Sequence, residues 1–113
     1  MAPAAYKSWR QRALLADTTA TFAEGLATRS AFALPQQILW ELLVDFVLVS
    51  DAEMRAAIVL LLQTAKTLTE PAGAAPLAAA LKLPPAVRAG KIALILSGGN
   101  ITPAQLAQVL AGA

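Results

Sequence analysis

An α/β fold, with short parallel strands flanked by helices, is what this sequence predicts, and three observations carry that prediction. Phe46-Val47-Leu48-Val49 and Ile92-Ala93-Leu94-Ile95-Leu96 are short apolar runs of the kind found in inner strands covered on both faces. Between them Met54, Ala57, Ile58, Leu61, Leu62, Ala65 and Leu68 recur at helical spacing. Strands joined through helices form a right-handed crossover and lie parallel. Their C-terminal ends, at Ser50 and Ser97, would then share the sheet edge where open α/β folds bind ligands.

The elements follow in order. Residues 1–33 mix Ala, Thr and charge with little periodicity and read as largely irregular, with a short strand at residues 19–22. Pro35 suits the first turn of a helix whose apolar face is Ile38, Leu39, Leu42 and Leu43 and which ends near Asp45. Ser50-Asp51-Ala52-Glu53 spells a capping box, in which the serine hydroxyl accepts from the glutamate amide and the glutamate side chain reaches back. The apolar stripe predicts a long helix from there, interrupted at Glu70 because the residue before Pro71 is disfavoured from helical geometry. Residues 72–81 then form an alanine-rich helix. Leu83-Pro84-Pro85 ends it, Arg88-Ala89-Gly90 turns the chain, and Lys91 leads into the second strand. Thr102-Pro103-Ala104-Gln105 repeats the capping pattern before a last helix through Leu106, Val109 and Leu110. Residues 1–113 are read as a single domain.

Composition narrows the function classes. Hydrophobic residues make up 58% of the chain, above the usual level of about 45–50% for soluble proteins. The surplus predicts apolar surface for a partner, either a homo-oligomer or a complementing chain. The net charge is +2, and its one local basic cluster, Lys7, Arg10 and Arg12, reads as a solvated N-terminal segment, so no nucleic-acid partner is expected. The absence of cysteine and histidine excludes disulfides, thiolate nucleophiles, imidazole bases and the common zinc sites. The longest apolar stretch, residues 38–49, is broken by Glu41 and Asp45 and is too short to span a bilayer. The N-terminus lacks the apolar core of a signal peptide, and a cytoplasmic location is expected.

Ser97-Gly98-Gly99-Asn100, directly after the second apolar run, is the strongest local pointer to a ligand site. Paired glycines permit unusual backbone conformations and close approach, and a neighbouring hydroxyl can hydrogen-bond what approaches. A plain strand-to-helix turn, with Ser97 as a capping hydroxyl, accounts for the same four residues. The turn stands last in an ordered series: Ala23-Glu24-Gly25-Leu26-Ala27, the stretch Leu43 to Glu53, then Glu70-Pro71-Ala72-Gly73-Ala74. Taken together, from Ala2-Pro3-Ala4-Ala5-Tyr6-Lys7-Ser8-Trp9 to the helix after Asn100, the sequence resembles the C-terminal part of the serine/threonine dehydratases. These are PLP-dependent ammonia-lyases of fold type II, a group that also includes serine racemase.

The resemblance implies a partial three-layer αβα sheet of the tryptophan synthase β type and pyridoxal phosphate as the family's cofactor. It implies that Ser97 hydrogen-bonds the pyridine nitrogen, where a hydroxyl does not force full ring protonation and so suits elimination from β-hydroxy amino acids. Glu70 aligns with a family glutamate near the cofactor ring, its position at a helix break aiming it into a cleft; an exposed acid at a helix end is the alternative. Gly98 and Gly25 are implied as pocket residues, and Gly73 as a site of close helix packing. Glu24 stands where the family usually has aspartate, which puts any hydrogen bond fixing that loop in doubt. No acidic pair matches the family's divalent-cation site, so no metal is expected. No segment matches the Schiff-base lysine or the phosphate loop, and Lys66, Lys82 and Lys91 read as solvated. The chain is therefore expected to be a fragment, a truncated gene or a free-standing descendant, with no catalytic residue of its own and no lyase activity alone. A self-associating α/β module that has lost the cofactor, or a subunit completing a PLP site with a partner chain, are the alternatives.

Overall fold

In the computed structural model, which describes residues 2–112, the chain divides into two compact units, Met1–Leu48 and Val49–Ala113. The first is a clasp between helices α1 (Ala4–Gln11) and α2 (Ala33–Leu42). Side chains of each reach the other's backbone: Trp9 Nε1 donates to Leu39 O at 3.2 Å, Trp40 Nε1 to Ser8 O at 3.3 Å, and Gln36 Nε2 to Ala5 O at 3.1 Å. Arg12 Nη1 donates to Trp40 O at 2.8 Å. The last carbonyls of a helix lack intrahelical partners, and a guanidinium there serves as both donor and counter-charge to the dipole. The Tyr6 ring meets Phe46 edge-on, with centroids 5.7 Å apart. Lys7 pairs with Asp17 and, by that hydrogen bond, holds the Asp17 carboxyl below its ordinary range. Two of the three residues of the basic cluster are thus tied to their own chain.

The first unit departs from expectation in three places. Residues 1–33, read as largely irregular, hold helix α1, which is too short for its periodicity to register. The strand expected at residues 19–22 is absent. Its place is taken by a single antiparallel bridge, Ala16 with Ser30, supported by Asp17 N donating to Arg29 O at 2.8 Å. Helix α2 stops at Leu42, short of Asp45, because Leu43 turns extended.

The second unit is built on α3 (Asp51–Ala65), which packs along α4 (Pro71–Lys82) and against α6 (Pro103–Ala111). A four-residue helix, α5 (Pro85–Arg88), fills part of the predicted turn. Both capping boxes form. Ser50 Oγ accepts from Glu53 N at 3.2 Å while Ser50 N donates to Glu53 Oε2 at 2.6 Å, and Thr102 and Gln105 repeat the pair at 3.2 and 2.9 Å. The core is Met54, Ala57 and Ile58 of α3 against Ala74, Ala78 and Ala80 of α4, with Val109 of α6. Alanines on α4 let the two helix backbones approach closely.

Two expectations for this unit are corrected. Helix α3 ends at Ala65 rather than at Glu70, because Lys66 adopts a left-handed conformation (φ 54°, ψ 30°) and its Nζ donates to Gln63 O at 2.8 Å. Leu68 consequently leaves the stripe and is exposed. Residues 46–49 and 92–96 belong to no strand, so the shared sheet edge at Ser50 and Ser97 is not formed among the described residues. Parallel pairing depends on neighbours brought together through long connections, and two strands alone are marginal. Ile92, Leu94, Ile95 and Leu96 are left exposed, Ile95 at 72%. No described helix is long and apolar enough to cross a membrane.

Candidate functional site

Thr69 and Glu70 stand just before α4, and the turn at Gly98 runs against them. The Gly98 carbonyl accepts two hydrogen bonds, from Glu70 N at 3.0 Å and from Thr69 Oγ1 at 2.9 Å, which occupies both of its lone pairs. Glu70 is the N-cap of α4 in an extended conformation, and Pro71 supplies the preset first helical residue, yet the Glu70 side chain caps nothing. Its carboxylate lies against Gly98 instead. A Cβ built on Gly98 would overlap Glu70 Oε1, and one built on Gly73 would overlap Thr69 Oγ1 and come within 3.0 Å of Gly98 O.

The glycines therefore act here through space. No described glycine has a positive φ, so Gly98 serves close approach and not an unusual backbone conformation. Gly73, expected to serve helix packing, is buried against the Gly98 turn. Ser97 is exposed and caps no helix, since α6 is capped by Thr102. Its hydroxyl makes no hydrogen bond among the described residues.

Of the residues singled out from sequence, Ser97, Gly98 and Glu70 fall into one cluster. Gly25 belongs to the other unit, exposed in the middle of a 3-10 turn, Glu24–Leu26, closed by Leu26 N donating to Ala23 O at 2.9 Å. Thr69, 1% exposed and bonded to Gly98, is the residue that sequence reasoning passed over. The signal was a hydroxyl residue directly before the Glu-Pro pair.

An exposed hydroxyl that makes no hydrogen bond among the described residues stands one residue from a glycine lined by a carboxylate, and such a hydroxyl is able to hydrogen-bond a ring nitrogen of the kind that pyridoxal phosphate carries. The chain belongs to the family of pyridoxal-phosphate dependent enzymes, whose pattern matches residues 1–98. It is 39% identical over 101 residues to an L-threonine ammonia-lyase of Geobacter sulfurreducens, covering 88% of this chain and 25% of that one. Against the catabolic L-threonine dehydratase of Escherichia coli it is 39% identical over 94 residues, covering 81% and 29%.

Among solved structures, a T.th. threonine deaminase superposes with a TM-score of 0.78 at 34% identity, over 89% of this chain and 36% of the other. Maize serine racemase superposes at 0.81 and 26% identity, over 97% and 36%. The chain thus spans from 25% to 36% of the length of these relatives. Its kinship is with PLP-dependent threonine and serine dehydratase-like enzymes.

Proposed function

We propose that these residues form the ring-nitrogen side of the cofactor pocket in a PLP-dependent threonine/serine ammonia-lyase. Ser97 hydrogen-bonds the pyridine nitrogen, with Gly98 and Glu70 as neighbouring pocket residues. The observation that carries this is the clamped turn, in which Gly98 is held by two hydrogen bonds with a free carboxylate on one side and a free hydroxyl on the other. When bound, PLP supplies an electron sink that lets a β-hydroxy amino acid lose its α-proton and hydroxyl, giving a 2-oxo acid and ammonia. The Ser97 hydroxyl orients the ring and leaves its nitrogen without a full positive charge. A side chain at Gly98 would displace the Glu70 carboxylate, which lies where its Cβ would stand.

The lysine that anchors the cofactor and moves the α-proton is assigned to residues outside this sequence. Lys66 and Lys82 are engaged at helix ends, Lys66 with Gln63 O and Lys82 with Glu53, and Lys91 is exposed. The 113 residues by themselves are therefore read as inactive. Calorimetric titration with phosphopyridoxyl-threonine, a reduced analogue that forms no stray Schiff base, tests this. Binding that is lost in Ser97→Ala supports the pocket, and no binding by the unaltered chain overturns it.

A second reading, a subunit that completes a PLP site with a partner chain, is favoured by the exposure of residues 92–96. These residues make no backbone hydrogen bond among the described residues and suit pairing with strands of another chain in a three-layer αβα sheet. Self-association through the same apolar run, with the cofactor lost, is the outcome if the chain oligomerises and fails to bind the analogue.

A further inference from the structure

We propose that Thr69 is a positioning residue for the turn that carries Ser97: its buried hydroxyl, together with the Glu70 amide, holds the Gly98 carbonyl and so sets where Ser97 stands. This rests on the assignment of Ser97 to the cofactor. From residue 91 to residue 97 no backbone hydrogen bond ties the chain down among the described residues, and the first anchor after that stretch is Gly98 O. Ser97 is one residue from that anchor.

Thr69 Oγ1 has a single proton and lies 2.9 Å from Gly98 O against 3.3 Å from Glu70 O, so Gly98 is the better acceptor. The bond is made at a residue only 1% exposed, where water does not replace it. Gly73 completes the arrangement, since a side chain there would occupy the place of the Thr69 hydroxyl and press on the Gly98 carbonyl. Thr69 touches no reacting group in this scheme and acts through the Gly98 carbonyl alone.

Thr69→Val keeps the shape and removes the donor, while Thr69→Ser keeps the donor. In the full 113-residue chain, amide exchange followed by NMR compares Glu70, whose N–H reports the clamp directly, with Ile58 in the fully buried core. Thr69→Val is expected to speed exchange at Glu70 roughly fivefold relative to Ile58 and to shift the Ser97 amide resonance, with Thr69→Ser close to the unaltered chain. Titration with phosphopyridoxyl-threonine supplies a second readout. Thr69→Val is expected to weaken binding about tenfold, and Ser97→Ala to add little in that background, because the two act as one unit.

Unchanged relative exchange at Glu70 overturns the proposal. So does a Ser97→Ala effect that is the same with Thr69 or Val, the signature of a merely structural threonine. If the unaltered chain binds no analogue, the pocket assignment fails by itself. Thr69 is then judged on the Glu70 exchange, and a Thr69→Val variant that leaves it unchanged overturns its role.

Discussion

Two helices of the second unit begin with a glutamate close at hand, and the chain uses the two acids in opposite ways. At the start of α3, Glu53 accepts from Ser50 N and pairs with Lys82 Nζ at 3.0 Å. At the start of α4, Glu70 occupies the N-cap position itself, its amide goes to Gly98 O, and its carboxylate takes no part in capping. Glu53 is committed to holding a helix end, whereas Glu70 is held by its backbone with its side chain left available. A charged group fixed in place without a structural partner is what a binding site needs. Local capping rules separate the two cases only when the hydrogen bonds of the main chain are followed as well.

Substitutions that sharpen this contrast begin with Gly73→Ala. Its new methyl would meet both the Thr69 hydroxyl and the Gly98 carbonyl, and overpacking against backbone is expected to cost about 1–3 kcal/mol in denaturant unfolding. Ser50→Ala removes the acceptor for Glu53 N and should cost about 1 kcal/mol by the same measurement. A matching loss at Thr102→Ala would show that the two capping boxes are equivalent.

Acid titration sharpens the comparison further. The hydrogen bond from Ser50 N, then the contact with Lys82, hold the Glu53 carboxyl below its ordinary value near 4.5. A carboxyl depressed on folding contributes stability that is fully present above that ordinary value and is lost as pH falls through the lower folded one. The stability difference between the unaltered chain and Glu53→Gln, followed by unfolding at a series of pH values, should therefore be constant near neutrality and shrink below pH 4.5.

Glu70→Gln has the smallest expected effect on folding, within about 0.5 kcal/mol, because the side chain supports no helix end. A large loss of stability in that variant would erase the contrast between the two glutamates.

Much of the helical framework was legible. The two capping boxes were read from residues three apart, and the start of α4 from a Glu-Pro pair, because these interactions close within one helical turn. Family resemblance singled out Ser97, Gly98 and Glu70 as candidates, and the structure brings the Gly98 turn against Glu70. The early end of α3 was not legible. It depends on Lys66 taking a left-handed conformation for which a lysine gives no sequence cue. The apolar runs at 46–49 and 92–96 looked like strands because composition reports a preference for pleated, buried surroundings and does not report whether neighbours are present.

By itself the sequence determined the caps, the alanine face of α4 and the family, all of which rest on short-range chemistry or on residues in fixed order. The tertiary structure alone decided that Thr69, Glu70 and Gly73 close on Gly98 and that the two apolar runs form no strand among the described residues. Those outcomes hinge on groups distant in sequence meeting within hydrogen-bonding distance, and such meetings are set by packing, which no local pattern encodes.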